Sequence, residues 1–243
     1  MKKQRLNVLI ILCSLWLFFL FLVWILSTNW LINGNALILH YSENISFNPI
    51  LLTSYQRISI STVLVFPFLY SIKILTNKPI SIIVRLRTRN YYTLYNIKLC
   101  IIFSFLFSFI HELVNLFCLC HFFNPDLFIN NNIIALSFLN VISIGLYFFR
   151  VSCAYLFLSA FMPSNRSIII VFLLYLINNV LIKTAFKWIW IPYDDILAIG
   201  KIIIHSLEYN EIFIILLRCI LFSVVMSLLV LLYNSKKDFI NYE

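Results

Sequence analysis

The sequence predicts an all-α polytopic membrane protein: six transmembrane helices in a single transmembrane domain over residues 1–243, with the N- and C-termini cytoplasmic. Three observations predict it. Hydrophobic side chains make up 63% of the chain and charged ones 11%, with a mean hydropathy of +0.98; a soluble domain of this size cannot hide so much apolar surface, whereas lipid tails solvate it. Apolar runs long enough to cross about 30 Å of hydrocarbon recur along the chain. The lysines and arginines gather on one side of that succession of runs, which orients helices in a bilayer. The 24 Phe, 13 Tyr and 5 Trp suit lipid-facing surfaces with aromatic belts, and only 3 Gly and 6 Pro punctuate the runs.

The first span covers about 8–27. It follows Met1-Lys2-Lys3-Gln4-Arg5 and leads into Ser27, Thr28, Asn29 and Trp30, without a small-residue cleavage site, so it reads as an uncleaved span rather than a signal peptide. The second, about 58–75, contains Pro67, which softens its boundaries. An inner loop over about 76–97 leads to the third span, about 98–121. The fourth, about 132–161, is long for one crossing and is interrupted by Arg150; a tilted helix emerging beyond the inner leaflet accounts for this, with two half-helices as the alternative. The fifth covers about 167–186 and the sixth about 212–233, separated by an outer segment over about 187–211. The six cysteines are scattered through apolar runs and read as small core hydrophobes.

This arrangement leaves Lys2, Lys3, Arg5, Lys73, Lys78, Arg85, Arg87, Arg89, Lys98, Arg166, Lys236 and Lys237 inside, against Arg57, Lys183, Lys187 and Lys201 outside. Arg150 and Arg218 fall within spans. Glu43, Asp126, Asp194, Asp195, Glu208 and Glu211 fall outside. The net charge of +9 is therefore a topology signal, not the footprint of a nucleic-acid partner.

Three segments carry candidate chemistry. In the inner loop Arg85, Arg87 and Arg89 alternate with Val84, Leu86 and Thr88, and Tyr91, Tyr92 and Tyr95 then precede the third span. Arginines meeting anionic headgroups and tyrosines anchoring at the interface explain this pattern, and so does a docking surface for a cytoplasmic partner formed by Arg85, Leu86, Arg87, Arg89, Tyr91 and Tyr92. In the third span Ser104, Ser108, His111, Glu112 and Asn115 share one side of a helix. A polar stripe against lipid is costly, so it should face other helices, a cavity or a partner. Glu112, the one acid deep in a span, is either a satisfied packing residue, bonded to a neighbour such as Asn178, Asn179 or Arg218, or a site for substrate or protons. His111-Glu112 is half of an H-E-x-x-H zinc motif, but Asn115 stands at the second histidine position, and no metal site is expected. In the outer segment Trp188, Trp190 and Tyr193 read as an aromatic belt, with Asp194 and Asp195 capping a short helix. No G-x-x-x-x-G-K-[ST] phosphate loop and no G-x-S-x-G element is present, so the chain is not expected to be an enzyme or to bind a cofactor.

Six spans, a cytoplasmic N-terminus and a basic amphipathic stretch between spans two and three resemble the type-2 ABC exporter permeases. More narrowly, they resemble the small permease-like proteins of bacteriocin export and self-immunity systems in low-GC Gram-positive bacteria. The resemblance is one of architecture over the whole chain. It implies a multi-pass protein of the bacterial plasma membrane, a cytoplasmic ATPase that binds ATP in trans and docks on the 76–97 loop, a homodimer or second permease subunit, and amphipathic outer helices between spans five and six. It also implies a hydrophobic or cationic antimicrobial peptide as cargo. Two other functions remain open: a stand-alone membrane immunity protein that sequesters a peptide, and a small proton-coupled carrier using Glu112. The absence of repeated halves weighs against the carrier.

Overall fold

A computed structural model of the chain describes residues 10–11, 13–22, 24, 63–76, 89–122, 133–178, 194–195 and 209–236. All regular structure among them is helical: α1 (Cys13–Leu22), α2 (Val65–Thr76), α3 (Arg89–Phe122), α4 (Ile133–Leu158), α5 (Ser164–Leu176) and α6 (Tyr209–Lys236). Three of these are long and apolar enough to cross a membrane, over Asn90–Cys120, Ile133–Leu158 and Asn210–Asn234. The other three are shorter apolar helices.

Local chemistry sets several boundaries. Pro67 lies in the first turn of α2, where its missing N–H would have had no helical partner. Helix α4 ends in tightened turns, with Ala160 N–H donating to Phe157 O and Phe161 N–H to Leu158 O. Pro163, with φ −56° and ψ 140°, then sets the chain for α5. Helix α3 begins at Arg89, nine residues before the expected span, so Tyr91, Tyr92 and Tyr95 belong to its opening turns and not to a loop. Helix α4 is unbroken through Arg150, which removes the half-helix alternative.

Helices α3 and α4 form the most extensive pair, and α6 packs on both. The approach is close at Gly145, where an added Cβ would lie 2.9 Å from the Phe105 ring; small residues permit such contact between apolar helices. Phe68 of α2, Phe107 of α3 and Phe148 of α4 interlock, with ring centroids 5.4, 4.7 and 4.7 Å apart. Trp16 of α1 meets Phe107 edge-on at 4.9 Å, and its indole N–H donates to Ser71 Oγ. Trp16 and Trp24 are thus buried core residues and not members of an interfacial belt, each with its N–H satisfied by a polar side chain. Helix α6 instead turns Phe213, Ile214, Leu221 and Leu232 outward, a surface suited to hydrocarbon.

Candidate intramembrane polar site

The stripe on α3 is wholly buried: Ser104, Ser108, His111, Glu112 and Asn115 are each at most 6% exposed. Their spacing places them within about a quarter of the helix circumference, and that side packs on α4. Ser104 Oγ lies 3.3 Å from Ser152 Oγ, and the Ser108 hydroxyl donates to the Val141 carbonyl at 2.6 Å.

Glu112 is held by amides. Asn140 Nδ2 donates to Oε2 at 2.6 Å, and Asn115 Nδ2 donates to Oε1 at 3.4 Å. Asn115 Oδ1 in turn accepts from Trp24 Nε1 at 3.2 Å, which ties residue 24 to the stripe. His111 Nδ1 lies 3.9 Å from Glu112 Oε2. The fold thus supplies Asn140 on α4 as a partner for Glu112; of the neighbours expected, Arg218 reaches another carboxylate, Asn178 lies just past α5 and Asn179 lies outside the described residues. Asn140 is not signalled by the sequence of α3; its cue is the repeat of Asn140, Ser143, Tyr147 and Arg150 at intervals of three and four, which lines one face of α4. All four are buried.

That α4 face carries a second centre. Asp195 is fully buried, with its carboxylate accepting from Arg150 Nη1 at 3.1 Å and from Arg218 Nη2. The Ser143 hydroxyl donates to the main-chain carbonyl of Asp195 at 3.0 Å. Asp195, read from the sequence as capping a short helix in the outer segment, is thus buried in the protein as an ion-pair partner, and residues 194–195 are themselves helical. Arg150 is 3% exposed, and Arg218 reaches the same carboxylate from α6. Two arginines inside apolar runs are the sequence signal for such a centre, because buried guanidinium groups require anionic partners.

Of the remaining candidates, Arg89, Tyr91 and Tyr92 lie in the opening turns of α3. Tyr91 is exposed, and the Tyr92 hydroxyl donates to the Thr76 carbonyl at the end of α2. Arg85, Leu86, Arg87, Trp188 and Trp190 lie outside the described residues, and Asp194 is half-buried beside Asp195. Among the described residues, no three His, Cys, Asp or Glu side chains converge as metal ligands.

The site is thus a set of fixed charges and amides buried between helices that, by length and composition, can cross a membrane. It can hold helices in register and offer polar contacts at depth. No known family model, curated protein or solved structure significantly matches the chain.

Proposed function

We propose that this chain is the membrane subunit of an exporter powered by a cytoplasmic ATPase in trans, with six spans, both termini inside and a hydrophobic peptide as cargo. One observation favours partner docking. Helix α3 has 34 residues, so at about 1.5 Å per residue it is roughly 20 Å longer than the hydrocarbon is thick. Its opening turns present exposed Tyr91 and Leu94, Tyr92 is tethered to α2, and the sequence puts Arg89 at the helix start. A stiff helix end offering apolar and cationic groups together suits a protein partner, because buried contacts hold a complex that charges mainly steer.

The test pairs Tyr91→Ala with Leu86→Asp, two changes that leave the inner cationic bias intact. At least one should weaken co-purification of an ATPase and abolish peptide protection or export, with membrane level unchanged. Full activity in cells lacking every candidate ATPase would overturn this reading and favour the stand-alone immunity protein.

A further inference from the structure

Arg150 and Arg218 are long enough to reach toward either face of a bilayer, so their pairing alone does not set the depth of Asp195. Ser143 does. Its side chain is short, and its hydroxyl donates at 3.0 Å to the main chain of Asp195, so backbone lies beside backbone at that level of α4. Ser143 is ten residues beyond Ile133, or about 15 Å along a helix that measures roughly 39 Å. A hydrocarbon core of about 30 Å centred on that helix begins about 5 Å from its end, so Ser143 lies roughly 10 Å inside it. Arg218 is nine residues beyond Tyr209 and is likewise interior on α6.

We infer that the connection between α5 and α6 carries Asp194 and Asp195 into the bilayer to the level of Ser143, where Asp195 is the counter-ion that lets Arg150 and Arg218 lie within membrane-spanning helices. A carboxylate at bilayer depth is tolerated when it is paired, and each arginine needs the same compensation. One anion shared by cations from α4 and α6 fastens those helices to each other and to the connection. Backbone of a connection at that depth must be covered and bonded, and both hold at Asp195, which is fully buried with its carbonyl accepting from Ser143. This placement does not depend on what the protein transports.

The experiment reads accessibility in unsealed membranes holding the full chain, so that both faces are exposed to a bilayer-impermeant maleimide. Mass mapping separates each introduced thiol from the native ones. Asn210→Cys, exposed at the start of α6, should react readily, and Asp194→Cys should react at least about tenfold more slowly. Adding Asp195→Asn, or the milder Arg218→Gln, should raise the Asp194→Cys rate by about tenfold, the scale of one lost charge-assisted hydrogen bond. Equal rates at positions 194 and 210 would overturn the depth. Unchanged protection in both charge variants would overturn the counter-ion role. If Asp195→Asn prevents accumulation, the triple variant Arg150→Gln, Asp195→Asn and Arg218→Gln decides: recovery of membrane level supports the counter-ion, and no recovery overturns it.

Discussion

Glu112 and Asp195 are both buried carboxylates, but they are satisfied differently. Asp195 meets two guanidinium groups, whereas Glu112 receives N–H bonds from Asn140 and Asn115. Those amide donors are themselves buried, so the choice of replacement at 112 decides the outcome. Glu112→Gln keeps a carbonyl oxygen for Asn140 Nδ2 and should change stability by no more than about 1 kcal/mol. Glu112→Leu strands both amides, each costing about 1–3 kcal/mol when left unpaired, and should lower the detergent melting temperature and the folded yield. Equal stability of the two variants would show that the amides find other partners. The same logic explains Trp24, whose indole N–H depends on Asn115 and through it on the Glu112 network.

At the scale of elements, α3 and α4 carry the site because their polar residues recur at helical spacing toward each other. Half of that was legible in the sequence. The stripe from Ser104 to Asn115 follows from periodicity alone, since five polar side chains on one side of an apolar helix must avoid lipid. Its partner on α4 is written more faintly, as the repeat of Asn140, Ser143, Tyr147 and Arg150 at intervals of three and four, which surrounding apolar residues dilute. Asp195 reads as a loop residue because hydropathy treats an acid between two spans as one; its two ion pairs, with Arg150 and Arg218, leave no periodic trace around residue 195. The start of α3 was misplaced for a related reason: Arg89 and the tyrosines lower the local hydropathy without being poor helix formers. The α3–α4 contact itself makes a prediction at Gly145. A methyl group there would stand 2.9 Å from Phe105, whose three close atoms belong to one rigid ring; rotation about Cβ–Cγ moves Cδ1 and Cε1 but leaves Cγ in place at 3.2 Å. Gly145→Ala should destabilise the pair by about 1–3 kcal/mol, as overpacking does, and Gly145→Val by more. Thermal unfolding in detergent measures this, and an unchanged midpoint for Gly145→Val would mean that α3 and α4 do not approach so closely.

For the whole molecule, the number of crossings decides on which face each long helix begins. Three helices are long enough to cross, while α1, α2 and α5 as described are shorter. If only α3, α4 and α6 crossed, their alternation would put the start of α3 and the start of α6 on the same face. If all six crossed, α5 would add one further passage between α4 and α6, and those two starts would lie on opposite faces. The charges favour the second arrangement. Arg89 and Lys98 sit at the start of α3, whereas Glu211 lies in the first turn of α6 and Lys236 at its end. Cations retained inside and an acid outside fit a cytoplasmic start for α3 and an external start for α6. The dipole of α6 is served by the same placement, with its acid at the N-terminus and its lysine at the C-terminus. Single cysteines at Asn90 and Asn210, both exposed, read this directly in sealed cells when native thiols are first blocked. An impermeant reagent added outside should label Asn210→Cys and spare Asn90→Cys until the membrane is opened. Labelling of both, or of neither, would place the two starts on one face and leave an even number of crossings between them, α3 and α4 without α5. Labelling of Asn90→Cys alone would keep the passage through α5 but invert the protein against the cationic bias.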